Sequence, residues 1–277
     1  MPFPFLEKYL DRLNAQQRPD ARVWLDAEGK AQGKYFSTTL TSAFQAVRTP
    51  GGVMTGYEGF ARSYAENDSG LSLWKLLDHA ASDAESIELD RLCRILHTIN
   101  FYRQPAATGL NLHLNVHSRL LAAVDSNHGI AFRRILSLLD LPHEKIILQL
   151  PGSTSQQQPR GWLLNYVLDN YRGNGFQVAI GARDVSEATS LLDHVRPDLI
   201  KIDGRQLNDE AGLDALLRKA SQQSVGIAFK RVEDDKVARL IEGLAAQHAV
   251  RVQVQGYLWD KPAPVLDGFA PDAVAAA

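Results

Sequence analysis

The sequence predicts an α/β barrel of the TIM type, a modified (β/α)8 barrel with an antiparallel first strand and a short N-terminal helical extension. Three observations carry this. Eight short apolar runs of strand length recur through one domain-sized stretch. Most of the intervals between them carry helical periodicity, the pattern of a parallel sheet wrapped by helices. The first two runs are joined by only Arg48, Thr49, Pro50 and Gly51. That is too short for a parallel crossover, so this pair is antiparallel. The 277 residues suit one closed barrel, since such barrels take about 250.

In chain order, residues 6–14 have the apolar spacing of a short helix, and 16–33 are polar, with Pro19, Gly29 and Gly33, and read as a loop or weak hairpin. The strand-like runs are 42–47, 52–60, 110–116, 145–150, 177–180, 199–203, 224–229 and 251–258. Helical periodicity covers 87–101, 130–139, 162–171, 187–195, 213–221 and 234–248. No fixed-period repeat and no Pro/Ser-rich linker divides the chain. The expected organisation is an N-terminal extension over 1–35, a barrel domain over 36–268 and a frayed tail over 269–277.

Composition excludes several classes. With 45% hydrophobic and 22% charged residues the chain is neither disordered nor a coiled coil, and with Cys93 as its one cysteine it is no disulfide scaffold. Thirty basic residues stand against 32 acidic ones, for a net charge of -2 without a basic stripe, so neither nucleic acid nor a membrane surface is the expected partner. No segment approaches the ~20 apolar residues that span a bilayer. The N-terminus lacks the basic start and long apolar run of a signal peptide. The expected location is the reducing cytoplasm. Gly173-Asn174-Gly175 reads as a helix stop, and there is no phosphate-binding P-loop, nucleophile-elbow serine or His-Glu-x-x-His.

Chemistry in such a barrel sits at the C-terminal ends of the strands. Those ends present Glu58, Asn115, Gln149, Gly181 with Ala182, Lys201 with Asp203, Lys230 and Gln255. Several segments then align in order. Phe44-Gln45-Ala46-Val47 resembles a Tyr-Gln-Pro-Ile strand. Gly56-Tyr57-Glu58-Gly59-Phe60-Ala61-Arg62 resembles Gly-x-Glu-Ala-Leu-x-Arg, and Leu89-Asp90-Arg91 matches Leu-Asp-Arg. Leu114-Asn115-Val116-His117 resembles Val-Asn-Val-Ser, and Asp198-Leu199-Ile200-Lys201-Ile202-Asp203 is close to Asp-x-Ile-Lys-Ile-Asp. Gln255-Gly256-Tyr257 followed by Lys261-Pro262-Ala263-Pro264 is close to Gln-Gly-Tyr-x-x-x-Lys-Pro-x-Pro. By these motifs the chain resembles the EAL domain family, the cyclic-di-GMP phosphodiesterase domain of bacterial signalling, from about Phe44 to Pro264. The resemblance implies a barrel whose first strand is antiparallel. It also implies divalent metals, held by acidic and amide oxygens, that activate a water for attack on phosphate.

The departures bear on activity. The Glu expected after the fourth strand is Gln149, and the second Glu of that motif is Gly152. An Asp-Asp pair aligns with Gly181-Ala182, and the following Arg183-Asp184-Val185-Ser186 lacks the family's Phe-Gly-Thr-Gly. The acidic position after the seventh strand is Lys230. Glu58, Asn115 and Asp203 remain, with Gln149, as vestiges of a metal site, and no bound metal or other cofactor is expected. Two charges 4 Å apart at an effective dielectric near 20 interact by roughly 4 kcal/mol, so Lys230 repels a divalent cation and is expected within salt-bridge reach of Glu58 or Asp203.

Each candidate has a plainer reading. Glu58 is either a residual ligand or half of an ion pair, and the ion pair is preferred. Lys201 is structural or faces phosphate. His113, Asn115 and His117 share a strand face, which suits either zinc or a hydrogen-bonded polar interior, and the second is preferred. His97 and Cys93, four apart on a helix, make a core contact. By resemblance Arg62 faces a ligand phosphate, Asp90 accepts from a guanine edge and Gln255 contacts the phosphate–base region. Phe60, where the family has leucine, either stacks on a base or simply packs. Arg62, Asp90, Gln255, Phe60, Lys201 and Lys230 are thus the candidate cyclic-di-GMP contacts. The expected function is a catalytically inactive EAL-like regulator that binds the nucleotide, a protein partner, or both. The alternatives are a phosphodiesterase with an altered metal site and a protein-interaction barrel that binds no nucleotide.

Overall fold

The computed structural model describes residues 6–16, 23–35, 38–63, 82–117, 129–152, 161–207 and 209–266. The expected tail, 269–277, lies outside the described residues. Eight strands close a barrel: β3 (Thr38–Arg48), β4 (Met54–Ser63), β5 (Asn111–Asn115), β6 (Ile146–Leu150), β7 (Gln177–Ala182), β8 (Leu199–Asp203), β9 (Gly226–Lys230) and β10 (Val252–Val254). β3 is antiparallel to both its neighbours, β4 and β10, and the barrel closes where Val254 meets Arg48. Every other neighbouring pair, from β4 round to β10, is parallel. The tight β3–β4 turn depends on Gly52, whose φ of +87° is a conformation that other residues rarely adopt.

Helices α2 (Asp83–Tyr102), α3 (Ile130–Leu138), α4 (Gly161–Gly173), α5 (Val185–His194), α6 (Glu210–Gln222) and α7 (Asp235–Ala245) wrap the outside. Strand alternation sorts the side chains. Leu112, Leu114 and Val116 join the buried layer under the helices, while His113 and Asn115 point inward. A small apolar layer of Ile147, Ala179, Leu199 and Ala228 fills the barrel interior. One alternation step further on, β6 and β8 carry Gln149 and Lys201, so the interior turns polar toward the C-terminal mouth.

Before the barrel come α1 (Leu6–Gln16) and a hairpin of β1 (Val23–Leu25) and β2 (Ala31–Tyr35). The hairpin is more firmly built than the polar sequence suggests. β2 pairs with the start of β3 through Gly33–Leu40 and Tyr35–Thr38. Asn100 of α2 accepts from the Ala31 amide at 2.7 Å and donates to its carbonyl at 2.8 Å. Gly33, read from sequence as a loop marker, is a strand residue: a Cβ there would lie 2.9 Å from Leu92. β3 consequently begins four residues before the expected 42. β10 is shorter than the expected 251–258, because the chain leaves the sheet at Gln255 and turns at Gly256 against Val232. Among the described residues no helix is long and apolar enough to cross a membrane.

Candidate functional site

Glu58 lies buried in β4 at the centre of a closed hydrogen-bonded ring. Its Oε2 takes the Lys201 ammonium at 2.5 Å. Its Oε1 accepts from Asn115 Nδ2 and from Gln149 Nε2, each at 2.9 Å. Gln149 ties the ring together, because its Oε1 accepts from Lys201 at 2.8 Å and its Nε2 also reaches Asn115 Oδ1 at 3.3 Å. Burial alone would raise the Glu58 pKa. The Lys201 charge and the three hydrogen bonds overcome it and hold the carboxyl near 2, so Glu58 is ionised and paired.

Lys201, not Lys230, is therefore the partner of Glu58, which corrects the sequence expectation. Among the described residues Lys230 makes no ion pair with Glu58 or Asp203 within 4.0 Å. The register explains it: β9 sets Ala228 opposite Lys201 and Lys230 opposite Asp203, so Lys230 sits one step nearer the mouth than Lys201. Desolvation, then repulsion from Lys201, lowers the Lys230 pKa. Asp203 is held instead by Arg205 at 2.8 Å and Arg231 at 3.1 Å.

The implied divalent metals are tested by this donor set, and it does not fit them. Hard cations take several carboxylate and carbonyl oxygens at once. Glu58 already faces an ammonium, Asn115 and Gln149 are neutral and bonded within the ring, and Asp203 carries two guanidiniums. The position of one further acidic ligand is closed sterically: a Cβ on Gly152 would lie 2.3 Å from the Gly181 carbonyl oxygen. Among the described residues no three His, Cys, Asp or Glu side chains are grouped to hold a metal. His113 is buried and held neutral, its pKa lowered to about 3 by burial and then by Lys201, and among the described residues neither ring nitrogen has a hydrogen-bond partner. His117 donates its backbone amide to Asp90. His97 and Cys93 are both buried and border the cleft described below, with Nδ1 of His97 bonded to Ser42 at 2.8 Å. Gly59, where the family motif has alanine, leaves room for the His97 ring, which a Cβ would meet at 3.0 Å.

Above the ring opens a cleft of about 600 Å³. Phe60, Arg62, Asp90, Lys230 and Gln255 line it, as do Glu58 and Asn115. Arg62 is exposed and Phe60 half-buried. Gln255 is 4% exposed, and among the described residues neither of its amide atoms has a partner. Gly256 makes that placement possible, since a Cβ there would lie 1.9 Å from the Val232 carbonyl oxygen. Asp90 is committed elsewhere: Arg94 approaches it at 2.5 Å, both side chains almost fully buried, and it accepts the His117 amide at 3.0 Å. Arg205 and Arg231 also line the cleft and were not singled out in the sequence. Both lie just past strand ends, so reading two residues beyond Asp203 and one beyond Lys230 would have found them.

The fold and mouth define a closed α/β barrel with one antiparallel strand and a polar, cation-rich cleft at its C-terminal end. Residues 33–262 match the model of the EAL domain family, and the protein belongs to that family. Comparison with curated protein sequences finds no match. Solved structures share the fold. A standalone EAL protein of Vibrio cholerae in its cyclic-di-GMP-bound form is 18% identical with a TM-score of 0.66, over 86% of this chain and 98% of that one. BlrP1 of Klebsiella pneumoniae, in a manganese and cyclic-di-GMP complex, is 17% identical with a TM-score of 0.67, over 88% of this chain. YkuI of Bacillus subtilis, in complex with substrate cyclic-di-GMP and calcium, is 21% identical with a TM-score of 0.66, over 82%. This chain spans 58% of the Klebsiella chain and 55% of the Bacillus chain.

Proposed function

We propose that this EAL domain binds cyclic-di-GMP without hydrolysing it and acts as a regulator in bacterial cyclic-di-GMP signalling, in the cytoplasm. The observation that carries the reading is the ring around Glu58. Hydrolysis by metal-activated water needs acidic oxygens free to take a divalent cation. Here the signature carboxylate is neutralised by Lys201 and its remaining acceptor is filled by two amides. The cleft above keeps features that suit an anionic nucleotide: the exposed Arg62, the half-buried Lys230, the Phe60 ring and the unpartnered amide of Gln255. Relatives with this fold carry cyclic-di-GMP in their solved structures.

One observation favours a second reading, a protein-interaction barrel that takes no nucleotide. Asp90, the residue that would accept from a guanine edge, is already held by Arg94 and the His117 amide. The test separates the readings. Purified protein is incubated with cyclic-di-GMP and Mg²⁺ or Mn²⁺ and the products are resolved by chromatography, while calorimetry measures binding with and without metal. Intact nucleotide together with a binding isotherm supports the proposal. Metal-dependent linear dinucleotide that disappears in Glu58→Ala would establish a phosphodiesterase with an altered metal site. No heat at high micromolar nucleotide would leave the protein-interaction barrel.

A further inference from the structure

We infer that Arg205 and Arg231, braced by Asp203, form a guanidinium clamp for the phosphodiester groups of the ligand, and that this pair supplies the positive charge at the barrel mouth in place of a metal. The inference rests on the nucleotide-binding reading above and adds the residues and chemistry of recognition. Arg205 lies in the turn after β8 and Arg231 directly follows β9, so the two adjacent strand ends bring them to one carboxylate. Asp203 accepts from Nε and Nη2 of Arg205 at 3.0 and 2.8 Å and from Nη1 of Arg231 at 3.1 Å. A guanidinium carries five N–H groups. Asp203 thus fixes both forks from one side and leaves most of their donors for the cleft they line.

Three further observations point the same way. The backbone of Arg231 has a φ of +58°, a left-handed conformation that glycine adopts freely and a long side chain does not. Strain of this kind persists where the surroundings enforce it and clusters at ligand clamps. Charge is the second. Glu58 and Asp90 are neutralised by Lys201 and Arg94. Among the described residues that leaves Arg62, Arg205, Lys230 and Arg231 against Asp203 and Glu233, a surplus of two positive charges around the cleft. Two phosphodiester groups carry two negative charges, and guanidinium forks match phosphate oxygens in pairs. The third is Gln255, a buried amide in the same cleft with a donor and an acceptor both unpaired.

The test is calorimetric titration of the full chain with cyclic-di-GMP in EDTA, repeated with inorganic pyrophosphate as a base-free probe. Wild-type protein is expected to bind the dinucleotide equally with and without EDTA. Arg231→Gly removes the guanidinium and relieves the backbone, so it should melt no lower than wild type. Its affinity should fall roughly 10- to 100-fold, the worth of hydrogen bonds to a charged group. Arg205→Ala should fall similarly, and Arg218→Ala, on the outer surface of α6, should not. Wild-type binding that both clamp variants preserve overturns the clamp and leaves the nucleotide reading standing. Binding that appears only with a divalent metal also overturns it. Pyrophosphate binding that depends on Arg231, with no response to cyclic-di-GMP, supports the clamp and overturns the nucleotide reading. Silence toward both probes overturns the two together.

Discussion

Replacing Lys201 by methionine keeps most of the side-chain stem and removes the ammonium that faces Glu58 at 2.5 Å. Glu58 then stays buried as an unpaired carboxylate. The Glu58 pKa falls from 4.5 to about 2 in the native ring, and at 1.36 kcal/mol per unit this corresponds to about 3 kcal/mol. Removing one partner of a buried pair costs about 3–5 kcal/mol by mutational precedent, which agrees. The pH dependence follows from the sign of the shift. In the wild type the depressed pKa contributes stability that is full above about 4.5 and is lost as pH falls through about 2. In Lys201→Met, burial, the largest single influence on Glu58, is opposed only by the Asn115 and Gln149 hydrogen bonds, and the expected result is a carboxyl above its unfolded value. That contribution is present below the unfolded pKa and is lost as pH rises through the folded one. The gap between the two proteins should therefore be widest near pH 7.5 and narrow on acidification. Urea denaturation followed by circular dichroism at pH 7.5 and pH 5 measures it. Adding Glu58→Gln to the variant should recover most of the loss, since a neutral ring leaves no charge buried. A Lys201→Met protein within about 0.5 kcal/mol of wild type at pH 7.5, the range of an ordinary surface substitution, would refute the reasoning.

Gln149→Glu should put a second carboxylate against Glu58, where Nε2 now donates at 2.9 Å, so one of the two takes up a proton with a raised pKa. Thermal melts should show this variant losing stability relative to wild type as pH rises from 5 to 8; parallel melts across that range would count against the ring as described. Asn100→Ala should release the hairpin by stranding the Ala31 amide and carbonyl, at about 1–3 kcal/mol per buried group, and should speed hydrogen exchange at Ala31 beyond any effect on α6.

Much of the fold was legible because period-two and helical patterns alternate cleanly, and the four-residue gap before Gly52 fixed the antiparallel pair. The hairpin was less so. Its residues are polar, and its strength comes from Asn100, 69 positions away, and from Leu92, against which Gly33 fits. At the site, strand-end reading brought Glu58, Asn115, Gln149, Lys201 and Gln255 to one mouth, and the structure places all five there or just beneath it. It erred on which lysine meets Glu58, because sequence gives the order of strands and not the step in register that lifts Lys230 above Lys201. Asp90 does line the cleft, with Arg94 against its carboxylate. Arg94, one helical turn on, is the partner that pattern alone could have suggested, since residues four apart on a helix meet.

The departures at the mouth depend on one another. Lys201 can close on Glu58 because Gln149, unlike a glutamate, offers both an acceptor to the ammonium and a donor to the carboxylate. Without side chains at 152 and 181, the loop after β6 comes so close to β7 that a Cβ on Gly152 would meet the Gly181 oxygen at 2.3 Å. An acidic residue restored at 152 would have to move backbone, and one restored at 149 alone would compete with Glu58 for a single ammonium. Neither of these two substitutions alone therefore yields an open set of oxygens. The neutral amide, the missing side chains and the buried lysine form one packing solution in which the charge next to Glu58 belongs to the protein, and among the described residues the cations that face a ligand lie one layer higher, at Arg62, Lys230, Arg231 and Arg205.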